Sequence, residues 1–246
     1  MSVLAPVRAI VLAAGRGERM RPLTDTTPKP LLMVQGRPMI EWHLLALARA
    51  GVQEVVINTA WLEEQFPATL GDGSRFGLRL HYSHEGRDHG GALETAGGIA
   101  KALPWLAPKG DEVFWVVSGD IYCPDFEFKP SLVDAFRTSD DDAQLWVVAN
   151  PDFNRNGDFD LSPEGRLRRD TAARPWTYAN LALMRPRMVG AVRTGERAAL
   201  GPLLFESAER QQLGGLLLQG PWENVGTPAQ LARLNALPQP SSSASR

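Results

Sequence analysis

The chain offers very little for covalent or redox chemistry. It holds one cysteine, Cys123, in 246 residues, which excludes an internal disulfide framework and fits a reducing compartment. Its four histidines stand in no recognisable triad with that cysteine or with a serine. Neither sign of charge is in excess: 26 basic and 28 acidic residues leave a net charge of −2, so no polybasic surface points to nucleic acid or to an anionic membrane. No apolar run approaches the length of a transmembrane helix. Met1 to Pro6 lack both the charged start and the apolar stretch of an export signal, and a cytoplasmic protein is expected. Two common phosphate loops are also missing. No Gly-Lys-Ser/Thr closes a Walker motif, and Met20 stands where a dinucleotide fingerprint needs its third glycine. With no clear ribose-binding acid either, an NAD-dependent oxidoreductase is disfavoured.

What is present is a full core and one dense stretch of phosphate chemistry. Apolar residues make up 43% and charged residues 22% of the chain, ordinary for a globular protein, and the length favours one large α/β domain. Ala9 to Ala14 is short, apolar and bounded by glycine, as a buried strand of a parallel sheet would be. Gly15 and Gly17 follow, with Arg16, Arg19 and Arg21 interleaved. Glycines let backbone N–H groups close around phosphate oxygens, and arginines supply multidentate positive charge. Lys29, held between Pro28 and Pro30, adds a point charge on a stiff stem. The combination suits a triphosphate.

The stretch from Leu12 to Thr24, with Lys29 beyond it, resembles the LxxGxGxRLxPLT signature and following PKP lysine of the sugar nucleotidyltransferases, with Met20 replacing the usual leucine. A second stretch, Leu93-Glu-Thr-Ala-Gly-Gly98, resembles that family's base- and sugar-recognising segment. A third, Trp222-Glu-Asn-Val-Gly-Thr-Pro228, resembles its carboxy-terminal motif. Within the family, the short length, the Gly17-Glu-Arg-Met20 wording and the run Leu70 to Leu78 are most similar to the N-acetylmuramate 1-phosphate uridylyltransferases. No acyltransferase hexapeptide repeat follows residue 230.

The remaining chain reads as alternating elements. Helices are expected from Pro38 to Gly51, Trp61 to Leu70, Thr95 to Leu103 (stopped by Pro104), Ser131 to Arg137, Leu200 to Gln211 and Thr227 to Leu237. Strands are expected at Leu31–Val34, Glu54–Asn58, Leu78–Tyr82, Glu112–Ser118, Leu145–Ala149, Tyr178–Met184 and Leu216–Leu218, with short antiparallel strands around the Ser162–Gly165 turn. Asp140 to Asp142 reads as a solvated polar turn, Arg87 to Gly91 as a lengthened loop, and 238–246 as a disordered Ser- and Pro-rich tail. The expected fold is an open, mixed but mostly parallel sheet with helices on both faces. One domain spans 1–237, with a nucleotide-binding half to about residue 127 and a sugar-binding half after it.

The resemblance implies Mg²⁺-dependent nucleotidyl transfer from a nucleoside triphosphate, UTP by the nearest sub-group, to a sugar 1-phosphate, N-acetylmuramate 1-phosphate by the same token. It implies that Arg19 and Lys29 act on the phosphates, and that Asp120 and Asn224 hold the metal. Asn224 stands where that sub-group carries aspartate, a loss that Glu223 offsets if it points inward. Leu12, Ala13, Ala14, Gly15, Gly17, Glu94, Thr95 and Gly97 would face the nucleotide, and Gly157, Tyr178, Ala179 and Asn180 the sugar. Packing alone is a competing explanation for Gly97 and Gly98, which otherwise weaken a helix. Other expectations are a guanylyl- or thymidylyltransferase acting on a hexose 1-phosphate, or a catalytically weak nucleotide-sugar sensor. Small-molecule partners and a monomer or small homo-oligomer complete the reading.

Overall fold

The computed structural model describes residues 7–238. The expectations for Met1 to Pro6 and for the tail beyond Pro238 lie outside the described residues. Seven strands form the main sheet: β1 (Arg8–Leu12), β2 (Glu54–Thr59), β3 (Arg79–His84), β4 (Phe114–Ser118), β5 (Ala143–Ala149), β6 (Trp176–Met184) and β7 (Leu213–Leu217). Their order is β7-β5-β6-β4-β1-β2-β3, which puts the very apolar β4 in the centre. β1 runs parallel to β2 and β4, β2 to β3, and β5 to β7. Only β6 runs against both its neighbours. The mostly parallel mixed sheet is therefore as the sequence suggests.

Alternation along the central strands divides the core into two layers. Ala9 and Val11 of β1 and Trp115 and Val117 of β4 face α1 (Met39–Arg49), α2 (Gln65–Leu70) and α5 (Pro130–Thr138), and pack with Ile40, Leu44, Phe66 and Phe136. Ile10, Phe114 and Val116 face the other way, toward α4 (Glu94–Leu106) and α6 (Leu200–Glu209). α7 (Pro228–Ala236) closes a smaller cluster with Met20, Val34, Met39 and Val225. Among the described residues no helix is long and apolar enough to cross a membrane.

Several local expectations need correction. Leu31–Val34 is not one strand: Lys29–Leu31 is a 3-10 turn, and only Met33–Val34 pairs, with Arg37–Pro38. The helix expected from Trp61 begins at Gln65. Thr95 does not cap α4, which starts at Glu94, and Pro104 does not end it. A proline removes only its own N–H, and near a carboxy-terminal end the helix closes around it through Ala107 N–H donating to Leu103 O at 2.8 Å. The last strand is earlier than expected, at Leu213–Leu217 rather than Leu216–Leu218. The supposed loop at Arg87 to Gly91 is mostly a helical turn, α3 (Glu85–His89), ended by Gly90 at φ 77°.

The largest correction concerns Asp140 to Asp142. Asp141 and Asp142 are buried. Arg187 and Arg210 donate to the two Asp142 oxygens at 2.6 and 2.8 Å, Ser207 Oγ donates to it as well, and Arg166 pairs with Asp141. Arg185 donates to the carbonyls of Phe136, Arg137, Ser139 and Asp141. The run reads as solvated because its partners come from the turn after β6, from α6 and its carboxy-terminal end, and from the turn near Ser162, far away in sequence.

Candidate functional site

The carboxyl ends of β1, β2 and β4 open onto a cleft of about 630 Å³, where parallel α/β sheets place their ligands. Leu12, Ala13, Ala14, Gly15 and Gly17 form one wall. Gly17 adopts φ 65°, and a Cβ there would meet Lys29 Cβ at 3.0 Å, so only glycine lets the loop lie on the lysine. Thr24 Oγ1 donates to Gly17 O at 2.8 Å and ties the loop down. A Cβ on Gly15 would meet nothing within 4 Å; that residue borders open space. Arg16 lies over the Trp61 ring at 4.3 Å. Arg19 sits in the next 3-10 turn, Glu18–Met20, and its guanidinium lies beside Gly226.

Lys29 and Asp120, 91 positions apart, meet in this cleft at 2.7 Å. Asp120 also accepts from Ser118 Oγ at 2.7 Å. Burial pushes this carboxyl up, but the Lys29 ammonium beside it and the Ser118 hydroxyl outweigh that and hold it below the usual carboxylate range. The carboxylate is therefore ionised at neutral pH, with lone pairs to spare. Its backbone is fixed by a short antiparallel ribbon in which Ile121 pairs with Asn224, and Val225 N–H donates to Asp120 O at 3.0 Å. Beneath it, His43 Nε2 lies 2.9 Å from Ile121 O. Burial lowers this imidazole to about 4, so it is neutral and serves as a core donor to that carbonyl.

Asn224 stands directly across that ribbon from the Asp120 segment, and its Oδ1 is buried with no hydrogen-bond partner among the described residues. A buried amide oxygen without a donor is costly, and it is an available hard ligand for a cation. Glu223 does not compensate from within. It accepts from Gln230 Nε2 at 3.0 Å and pairs with Arg233 at 2.5 Å on α7. Among the described residues no three His, Cys, Asp or Glu side chains gather as a metal site. One carboxylate and one amide oxygen nonetheless suit Mg²⁺, which keeps several waters and completes its shell with substrate phosphates.

Glu94 and Thr95 line the opposite wall with Ala92. Glu94 adopts φ 62° and pairs at 2.6 Å with Arg197, a cleft residue that carries no sequence signal. Tyr178 and Asn180 complete the lining. Tyr178 borders a bulge in β6 and Asn180 lies within it, where its φ of 60° turns it out of the strand's alternation. Ala179 stays in the core. Gly157 and Gly97 are not in the lining. A Cβ on Gly157 would collide with Arg174 O, and one on Gly97 with Glu196 O, so packing accounts for both. Gly98 is equally confined, between Asn58 and Glu85. Asn58 lines the cleft and was missed, because in sequence it is one polar residue at the end of an apolar strand. Cys123 is buried, which pushes its thiol up to about 12 and makes it inert.

Comparison with known proteins gives a consistent set of similarities. Residues 8–168 match the nucleotidyl transferase family. The chain is 44% identical over 233 residues to N-acetylmuramate alpha-1-phosphate uridylyltransferase of Neisseria meningitidis serogroup B, covering 94% of this chain and 98% of that one. It is 33% identical over 240 residues to the protein of the same name in Caulobacter vibrioides, covering 93% and 96%. A putative glucose-1-phosphate thymidylyltransferase from Bacillus anthracis superposes with a TM-score of 0.79 at 20% identity, covering 94% of each chain. That last likeness concerns the fold.

Proposed function

The chain belongs to the nucleotidyl transferase family and is a sugar-1-phosphate nucleotidyltransferase, and from that premise we propose that it joins UTP and N-acetylmuramate 1-phosphate into a nucleotide sugar with release of pyrophosphate. The observation that supports the substrates most is the near end-to-end match to a relative so named. A reducing, cytoplasmic setting agrees with the single buried cysteine.

In this reaction a phosphate oxygen of the sugar 1-phosphate attacks the α-phosphorus of the triphosphate. The bond from that phosphorus to the β-bridging oxygen breaks, and pyrophosphate leaves with the electron pair. Both reactants are polyanions, so much of the barrier is their mutual repulsion and the cost of alignment. The loop beyond Ala13, residues 14–17, offers backbone N–H groups to the phosphates, and Arg19 stabilises charge developing on the leaving group. Lys29 holds the α-phosphate or the attacking phosphate, released for that purpose from its contact with Asp120. Asp120 and Asn224 would hold the Mg²⁺, whose charge, when bound, offsets that of the α-phosphoryl oxygens. No general base is required, because a sugar phosphate is ionised near neutral pH. Tyr178 and Asn180 flank the sugar, and Glu94 and Thr95 the base.

Phosphorus NMR of the protein mixed with UTP, N-acetylmuramate 1-phosphate and Mg²⁺ tests this reading. The UTP resonances should give way to a coupled diphosphate-ester pair and free pyrophosphate. Orthophosphate as the sole product, or no change at all, would count against it.

A further inference from the structure

Two segments that face the cleft, the glycine loop and the entrance to α4, belong to different parts of the chain and are joined underneath by one buried relay. Ala13 N–H donates to Asn58 Oδ1 at 2.8 Å. Asn58 Nδ2 donates to Glu85 Oε1 at 2.7 Å. The other Glu85 oxygen accepts from Leu93 N–H at 2.7 Å. Asn58 and Glu85 are 2% and 0% exposed. The relay also excludes anything larger beside it: a Cβ on Gly98 would lie 2.6 Å from both Asn58 Nδ2 and Glu85 Oε1.

The relay has a direction. An ionised carboxylate only accepts hydrogen bonds. Glu85 therefore forces the amide end of Asn58 toward itself and turns the oxygen end toward Ala13. Burial raises the Glu85 carboxyl above its ordinary value, outweighing the Leu93 and Asn58 donors and the nearby Lys101 and His89. The direction of the relay therefore rests on its geometry: the Ala13 and Leu93 N–H groups can only donate, and both Glu85 oxygens accept. A carboxylate kept in the core at the expense of desolvation, with one oxygen bonded to a side-chain amide and the other to a backbone amide, is a costly way to fill space. The two ends of the relay fall on neighbours of the nucleotide-facing residues Ala14 and Glu94.

We propose that Asn58 and Glu85 are positioning residues that set the spacing and orientation of the two walls between which the nucleoside triphosphate is held. The proposal rests on the reading of this cleft as a triphosphate site. Neither residue touches the reacting atoms. Their effect is on how well the loop and the α4 entrance are prepared before the nucleotide arrives.

The direction of the relay supplies the test. Glu85→Gln puts an amide against Asn58 or Leu93 and leaves donor facing donor. Asn58→Asp puts a carboxylate against Glu85. The double variant, Asn58→Asp with Glu85→Gln, restores every bond, with the one between positions 58 and 85 reversed. The carboxylate then at position 58 accepts from Ala13 N–H and from the side-chain amide at position 85. The oxygen of that amide accepts in turn from Leu93 N–H.

Steady-state kinetics with UTP and with the sugar 1-phosphate are measured for all four proteins, alongside thermal melting. Each single variant should raise the KM for the triphosphate by about tenfold while leaving the KM for the sugar phosphate unmoved, and the double variant should return within about threefold of the parent. Single variants that melt normally and keep the triphosphate KM would overturn the proposal. So would equal losses for both substrates, or a double variant no better than the worse single one. If a single variant fails to fold, the double variant decides alone. A parent protein that turns over no triphosphate instead rejects the underlying reading of the cleft.

Discussion

Arg19, Lys29 and Asp120 are the residues on which the proposed chemistry rests, and each fails in its own way when changed. Arg19 is exposed, so the fold gains little from its side chain. Arg19→Ala should therefore melt like the parent while its rate falls about 10²–10³-fold, the usual consequence of losing one charge-stabilising donor. Pyrophosphate release measured beside a melting curve separates the two effects; a rate within a few-fold of the parent would remove Arg19 from the mechanism. Asn224 allows a sharper reading. Its buried, unpaired Oδ1 gains nothing for the metal-free protein, so Asn224→Ala should leave metal-free stability unchanged or raised, yet abolish the melting shift that Mg²⁺ and UTP together produce. Asn224→Asp should reach half-maximal rate at lower free Mg²⁺ than the parent. Identical Mg²⁺ responses in all three proteins would mean that the amide is only a structural feature of its ribbon. Arg19 and Lys29 stood out in the sequence because phosphate chemistry concentrates glycine and basic residues in one short stretch, whereas Asp120 and Asn224 stood out only through the family resemblance. Asn58 and Arg197 did not stand out, because each is a single polar residue whose meaning comes from a partner across the fold.

At the scale of elements, the arginine-bound turn at Asp140 to Asp142 ties α6 and the turn after β6 to one buried carboxylate. Burial pushes Asp142 up, but hydrogen bonds from Arg187, Arg210 and Ser207 outweigh it and hold the carboxyl below its ordinary value. A depressed folded-state value stabilises the fold at pH above the unfolded carboxylate's pKa of about 3.9, and that stabilisation is lost as pH falls through the lower folded value. Asp142→Asn should cost about 2 kcal/mol at neutral pH, lowering Tm by about 4–8 °C for a chain of this size. The difference between the two proteins should shrink as pH falls below about 4; a difference independent of pH would point to packing rather than charge. The sequence showed the strands and most helices because apolar periodicity is local. It misplaced this turn because its partners lie far away in sequence, and the end of α4 because the helix closes locally around Pro104. Three acids in a row look solvated until arginines from beyond β6 and from the end of α6 arrive and bury two of them. A proline looks like a stop unless the remaining backbone bonds close around it.

For the whole molecule, the sheet order explains why one cleft collects residues from both halves of the sequence. β4 and β1 lie side by side at the centre, so Asp120, beyond the end of β4, comes down on Lys29. The antiparallel β6 beside them delivers Tyr178 and Asn180 to the same opening. The parallel core was readable from βα alternation. The reversal of β6 was not, since a continuous apolar strand looks alike in either direction. The most direct measurement is the initial rate of pyrophosphate release across a matrix of UTP, dTTP, GTP and CTP against N-acetylmuramate, N-acetylglucosamine, glucose and mannose 1-phosphates, with Mg²⁺ present. The highest kcat/KM should fall on UTP with N-acetylmuramate 1-phosphate, and a maximum at GTP or dTTP with a hexose 1-phosphate, or no turnover anywhere in the matrix, would contradict it.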